Sequence, residues 1–403
     1  MTDGQIANID LVKQVNAAAV YRIIDQHGPI SRVQIAEISQ LAPASVTKIT
    51  RQLLEHELIR EEALQESTGG RRAISLMTVR DRFQFISCRL GRRSLHLGVC
   101  DLNGRLLAQA SHELTPLKGD AAIDKLLDAI AALLSEQARK IRKLIGIAVT
   151  LPGLVNQESG EVLYMPALEL HHLPLTQRLE ARFHLPCYVG NDTRALALAE
   201  HFLGASQENQ DVILIAVHND IGSGIISKGK ILQGHNRNVG EIGHIQVERF
   251  GRRCHCGNFG CMETLVGNSA IVERTLGLLQ QGHQSSMQPQ GLTIELICRA
   301  AGQGDTLASQ ILQETGEYLG RIIAIMVNLF NPEKVLLAGE IIDAKQILFP
   351  VIRSCIEQQS LPSFHQELPI EPARFQGRNV MGGVALIKQA LLEGNLLLRI
   401  MEM

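Results

Sequence analysis

An α/β protein is expected from this sequence: an N-terminal winged helix-turn-helix over residues 1–80, then a duplicated α/β body of two lobes with a cleft between them. Three observations lead there. Three short helical patterns open the chain, with a tight turn before the last. Two strand-like runs flank Gly69-Gly70 just beyond them. From Phe83 onward strands alternate with helices in two similar halves, the texture of partly parallel sheets. The 403 residues suffice for two or three domains, and 45% hydrophobic residues supply their cores.

In residues 16–27, Ala19, Val20, Ile23 and Ile24 recur at helical spacing until Gly28-Pro29 stops the run. Ser31 can cap a second helix, RVQIAEIS, and Ser45 a third, VTKITRQLLEHEL. Val46, Ile49, Leu53 and Leu54 of the third helix share one stripe, which leaves Ser45, Thr47, Lys48, Arg51 and Gln52 on the other face. That arrangement can place the third helix in a DNA major groove. The wing strands around Gly69-Gly70 carry Arg71 and Arg72, suited to a minor groove. A small helical bundle with a solvated face is the plainer reading. Residues 1–80 hold nine basic and nine acidic side chains, so only their distribution favours DNA.

The body opens with strand-turn-strand-turn-strand from Phe83, followed by a helix at 121–140 and the apolar strand LIGIAVTLPGLV. Further strands are expected near 188–192, 212–227 and 334–340, and long helices at 193–203 and 307–330. The lobes are assigned to 81–192 and 193–379, with 380–403 returning to the first. The tail LLEGNLLLRIMEM reads as one amphipathic helix that packs on the body.

Composition narrows the function. A net charge of −2 excludes a globally cationic nucleic-acid coat, though not a local patch. Aromatics at 3%, with no Trp, argue against stacking platforms. No apolar run reaches the ~18 residues of a membrane span, and MTDGQIANID has no secretory character. A cytoplasmic location is expected.

Residues 241–264, EIGHIQVERFGRRCHCGNFGCMET, carry the sharpest signal. His244, Cys254, Cys256 and Cys261 form a Cys3His set interleaved with glycines, the donor chemistry of tetrahedral Zn2+. Four protein ligands leave no open position, so one structural zinc per chain is expected. Arg252, Arg253 and His255 read as solvated loop.

ExGH followed by CxCGxxGCxE resembles the signature of the ROK family of repressors, open reading frames and sugar kinases. LPGLVNQESGEV, NDTRALALAE and DIGSGIISKGKI resemble further family blocks in the right order. The likeness spans essentially the whole chain. It implies a sugar-kinase-like body of the actin-like ATPase and ribonuclease H-like class. The added winged helix marks the repressor branch. There NIDLVKQVNAAAVYR, the two helices after it and STGGRRAISL are most similar to repressors of amino-sugar genes. The resemblance implies a sugar pocket lined by Asn191, Asp192, Glu241, His244 and Glu263, with main chain at Pro152-Gly153 closing one side. His244 then serves zinc with one ring nitrogen and the sugar with the other. Asp192 is also placed to cap the helix TRALALAE, and Glu263 has a plainer reading as a surface charge.

Kinase activity is not expected. Where the family's kinases carry Asp-x-Gly-Gly-Thr in the first phosphate loop, this chain has Arg89-Leu90-Gly91-Arg92-Arg93. Arg92 obstructs the close backbone approach that a nucleotide phosphate needs. Asn219-Asp220 puts an acid in the second loop, and the later glycine pair is Ala338-Gly339. The resemblance implies N-acetylglucosamine 6-phosphate as effector, and Arg89, Arg92 or Arg93 could bind its phosphate. The expected partners are this amino-sugar phosphate, pseudo-palindromic operator DNA and a second copy of the chain, as a dimer or dimer of dimers. Sequestration on a membrane sugar transporter is the alternative mode of control, and an active amino-sugar kinase a lesser one.

Overall fold

The computed structural model describes residues 9–63, 74–376 and 380–402. The first helix, Ile9–His27, starts seven residues earlier than the expected span because IDLVKQV continues its helical course. Gly28 closes it by donating to the Ile24 carbonyl at 2.9 Å. Ser31 and Gln34 form a reciprocal capping box on helix Arg32–Ser39. The third helix runs Pro43–Glu55, with Ala42 at its cap and no side-chain cap bond. Ser45 is therefore not a cap: the fixed backbone angle of Pro43 starts the helix two residues before it. Val46, Thr50 and Leu53 are its buried residues. Strands Ile59–Ala63 and Ile74–Thr78 pair antiparallel, and Ile30–Ser31 joins the second, which gives a winged three-stranded sheet. The turn between them, with Arg71 and Arg72, lies outside the described residues.

Duplication in the body is explicit in its topology. One sheet is ordered Leu106–Glu113, Ser94–Asp101, Phe83–Leu90, Lys143–Leu151, Cys187–Asn191. The other is ordered Lys230–Ile231, Ile221–Ser227, Val212–Val217, Lys334–Ala338, Ile370–Pro372. Within each, the first three strands in the chain form an antiparallel meander, and the last two add in parallel beside the first. An antiparallel three-stranded flap, Leu154–Asn156, Glu161–Met165 and Leu170–Leu173, projects from the first half. The second half carries helices Asn268–Gln280, Ile294–Gly302 and Lys345–Gln359 that the sequence reading did not resolve. They join helix Thr306–Phe330 in burying one large core.

Two helices begin or end at the junction of the halves. Helix Asp192–Leu203 leaves the last strand of the first sheet and packs on helix Met381–Leu392 and strand Ile221–Ser227. Helix Met381–Leu392 lies on the strands of the first sheet. The expected single tail helix is two: Gly394, at φ +91°, breaks it, and Asn395–Glu402 folds back. A Cβ at Gly394 would come within 2.9 Å of Gln14 and 3.1 Å of Ala18, so only glycine permits this approach. Leu396, Leu397 and Ile400 are buried with Val20, Ile24, Leu76, Phe85 and Ile387 in one core, which runs unbroken from the winged helix into the first half.

Candidate ligand cleft and metal centre

The two halves face each other across a cleft of about 220 Å³ lined from both sides. A wider, solvent-open groove between the winged helix and the first half is lined by Glu57, Arg60, Arg82 and Lys143 and shares no residue with the cleft. At the floor of the cleft, strand Cys187–Asn191 delivers Asn191 and Asp192 to the start of the following helix. Asn191 is the cap, with its Oδ1 accepting from Arg194 N at 3.0 Å while its Nδ2 donates to the Gly153 carbonyl at 3.1 Å. The capping role thus falls one residue earlier than expected and leaves the Asp192 carboxylate to a different partner. A Cβ on Gly153 would stand 2.6 Å from the Tyr164 carbonyl, so the flap lies directly against this turn.

The partner of Asp192 is Arg89, at 2.7 Å, with both side chains largely buried. Arg89 comes from the first strand of the first sheet and puts a guanidinium against the carboxylate. Arg92 lines the cleft at its rim, 4.0 Å from Asp220 of the opposite half. Arg93 is exposed and lies outside the cleft lining. The three candidate arginines therefore occupy three different environments.

Glu241 enters from the second half. Gly240 before it has φ +96°, and a Cβ there would stand 2.1 Å from the Ser223 carbonyl, so the close turn that presents Glu241 needs glycine. Burial pushes the Glu241 carboxyl up, and Arg194 and His244 pull it back. Glu263 is 8% exposed, which sets aside its surface reading. Its Oε1 lies 2.8 Å from His255 Nδ1 and accepts from Cys254 Sγ at 2.9 Å. His255 is exposed, as expected of solvated loop, but it also lines the cleft and pairs with Glu263; its place between two cysteines is the only sequence signal of that.

His244, Cys254, Cys256 and Cys261 offer ligand atoms within 4.8 Å of one another. Cys256 and Cys261 sulfurs are 3.7 Å apart, and Cys254 Sγ is 3.5 Å from His244 Nδ1. Zn–S bonds of about 2.3 Å set tetrahedral S···S edges at roughly 3.8 Å, so the cage has the size of the ion. With His244 Nδ1 turned to the thiols, its Nε2 is left to the cleft, which His244 lines.

A further network beside the cleft joins segments far apart in the chain and has no local signature in the sequence. His218 Nδ1 lies 2.6 Å from Glu340 Oε2, which also accepts from Asn268 Nδ2 at 2.9 Å. It ties the loop after Val212–Val217 to the turn at Gly339, where the altered glycine pair was noted.

On the winged helix, Ser45, Thr47, Lys48, Arg51 and Gln52 are all exposed. They lie opposite buried Val46, Thr50 and Leu53, and the Thr47 hydroxyl donates back to the Pro43 carbonyl at 2.8 Å. No helix among the described residues is long and apolar enough to cross a membrane.

Comparison with known proteins gives matching family models for both parts: the MarR family over residues 16–67 and the ROK family over 85–390. The chain is 52% identical to the DNA-binding transcriptional dual regulator NagC of Escherichia coli K12 over 405 residues, covering 100% of both. It is 39% identical to the DNA-binding transcriptional repressor Mlc of the same organism, again over 100% of both. A crystal structure of a ROK family transcriptional regulator, a homologue of the Escherichia coli MLC protein, superposes with a TM-score of 0.91 at 44% identity, covering 97% of this chain and 100% of that one. A ROK family glucokinase from Streptomyces griseus, in complex with glucose and AMPPNP, matches 76% of this chain and 98% of its own, with a TM-score of 0.66 at 26% identity. With the doubled sheets, the cleft between them and the Cys3His cage behind it, these matches establish that the chain belongs to the ROK family.

Proposed function

We propose that this chain is a transcriptional repressor of N-acetylglucosamine uptake and metabolism genes, released from its operator by N-acetylglucosamine 6-phosphate. The observation that carries the reading is the 52% identity to NagC along the whole of both chains, winged helix and cleft alike. Residues 1–80 read DNA. Residues 81–192 with 380–403, and residues 193–379, form the two lobes that close on the effector.

Ser45, Thr47, Lys48, Arg51 and Gln52 meet bases and phosphates in the major groove, and Arg71 and Arg72 reach the minor groove. A homodimer, or a dimer of dimers, sets two such helices about 34 Å apart, or a multiple of it, on a pseudo-palindrome. In the cleft, Asp192, Glu241 and Glu263 accept from ring hydroxyls, Asn191 and His244 complete the set, and the Gly153 turn closes one side. Structural zinc on His244, Cys254, Cys256 and Cys261 supplies no chemistry beyond fixing the imidazole. Arg92, the arginine at the cleft rim, takes the phosphate; Arg93 is too far out and Arg89 is committed to Asp192.

That last pair also separates this chain from a kinase. The Asp192 carboxylate is engaged by the Arg89 guanidinium at 2.7 Å, and Arg92 stands where a nucleotide phosphate would need a close backbone approach, so the site suits binding and not phosphoryl transfer. The protein acts without catalysis, in the cytoplasm where its sugar phosphate is found.

Fluorescence anisotropy of the zinc-loaded protein on a labelled operator, at fixed salt, tests the reading. N-acetylglucosamine 6-phosphate is expected to release the DNA where glucose and glucose 6-phosphate do not. Tight binding that no sugar relieves overturns the effector assignment and favours control by sequestration on a membrane transporter.

A further inference from the structure

Arg194 is a buried charge that no role above uses. It stands in the first turn of helix Asp192–Leu203 and is 9% exposed. Nη1 donates to the Val239 carbonyl at 3.2 Å and lies 3.5 Å from Glu241 Oε1. Nη2 donates to Asn238 Oδ1 at 3.0 Å. That same Oδ1 accepts from Val155 N of the opposite flap at 3.3 Å, while Asn238 Nδ2 is held by the Asn236 carbonyl at 2.9 Å. Arg237 and Glu158, 2.7 Å apart, bridge the same gap at the surface. Helix start, 236–241 loop and flap strand therefore converge on one planar fork of donors.

We propose that Arg194 is a positioning residue: it aims Glu241 into the cleft and, through Asn238, clips the 154–158 flap across the cleft mouth. A sugar held by Glu241 then also fixes the gap between the halves, and this supplies the preference for one lobe arrangement that an effector needs in order to switch anything. The inference rests on the sugar-cleft reading only in its ligand step; the clip itself is a property of the ligand-free protein. Burial disfavours the guanidinium charge, and the Glu241 and Asp192 carboxylates sustain it. A lysine at this position keeps the charge and loses the fork.

The test uses the full-length, zinc-loaded protein with Arg194→Met, Arg194→Lys and, as a milder break of the same chain of bonds, Asn238→Ala. Hydrogen exchange is followed without ligand over peptides spanning 153–158 and 236–241. Both peptides are expected to exchange faster in the two Arg194 variants, with helix Pro43–Glu55, zinc content and operator affinity unchanged. Asn238→Ala should loosen 153–158 in the same way. N-acetylglucosamine 6-phosphate is expected to bind Arg194→Met roughly 10- to 100-fold more weakly, the loss of hydrogen bonds to a charged group. Arg194→Lys should recover part of that affinity and none of the flap protection. Wild-type exchange at 153–158 in Arg194→Met and in Asn238→Ala overturns the clip, and unchanged sugar-phosphate affinity overturns the aiming of Glu241. If wild type itself binds no amino-sugar phosphate, the cleft reading fails, while the ligand-free exchange still decides the clip.

Discussion

The joint between the winged helix and the body is a place where one substitution should have a large and specific effect. Asp25, on helix Ile9–His27, is nearly buried, and its carboxylate meets two cations. Arg80 contacts it at 2.7 and 3.1 Å, and Lys388, from helix Met381–Leu392, at 3.2 Å. Lys388 is itself 13% exposed and lies over the Phe202 ring, and burial pushes its ammonium pKa down while Asp25 holds it up. At 3.2 Å the Lys388 pair has a gross attraction of about 5 kcal/mol at an effective dielectric of ~20. Desolvation already offsets most of that, so the penalty comes from what a truncation leaves behind. Asp25→Asn leaves Lys388 unpaired in a buried site beside a second cation. Arg80, 32% exposed, relaxes toward water, so the expected loss is about 2–4 kcal/mol, at or just below the 3–5 of a broken buried pair. Lys388→Met leaves Asp25 with Arg80 and should cost less, about 1–2 kcal/mol. Scanning calorimetry should show the transition of the first half and winged helix fall by about 5–10 °C in Asp25→Asn. Adding Lys388→Met to Asp25→Asn should recover part of that drop, since it removes the stranded charge. An unshifted transition in Asp25→Asn, or two substitutions that simply add, would refute the argument.

Three other outcomes are expected. Cys261→Ser, or removal of metal with a chelator, should take zinc from about one per chain toward none by atomic absorption, and weaken N-acetylglucosamine 6-phosphate more than operator DNA, because the cage holds His244. Arg92→Met should lower the preference for the phosphorylated over the free sugar, and Arg93→Met should not, measured by calorimetric titration. Lys48→Ala and Arg51→Ala should each weaken operator binding and reduce its salt slope by about one, with the fold unchanged by circular dichroism.

Acid stability gives a further case in which the sign can be worked out. Asp305 caps helix Thr306–Phe330 and accepts from the hydroxyls of Ser285 and Ser286 and the amides of Ser286 and Ala308. Burial alone would raise its pKa, but the bonds from Ala308 and the serines bring it down to about 2. A depressed carboxylate stabilises the fold above its unfolded pKa of about 3.9, and the gain is lost as pH falls toward 2. Asp305→Asn should therefore cost about 1–2 kcal/mol at neutral pH and only about 0.4 kcal/mol near pH 2, where half the native carboxylates are protonated. An equal difference between the two proteins at both pH values would sink the assignment.

What the sequence made legible follows from how local each signal is. Cys254, Cys256 and Cys261 fall within eight residues, and a cage that short is nearly closed by its own loop; His244, legible with them as the fourth donor, stands 3.5 Å from Cys254 Sγ. The winged helix and the strand pattern of the body were equally readable, being runs of local periodicity. Helix starts were less so: Ser31 caps as read, but at the third helix the rigid ring of Pro43 overrode a good capping serine. Pairings between distant segments left no local trace. Arg89 meets Asp192 across 103 positions, and Lys388 meets Asp25 across more than three hundred. His255 looked like loop because its bond to Glu263 depends on how the cage turns the chain. Arg194 carries no such signal, because an arginine two residues after a candidate capping aspartate reads as an ordinary exposed helix charge. Only the fold reveals that its side chain points into the space between the halves, where its guanidinium meets Asn238, Val239 and Glu241 of another segment. The residues that make the cleft one device instead of two facing surfaces are therefore those whose partners lie far away in the chain.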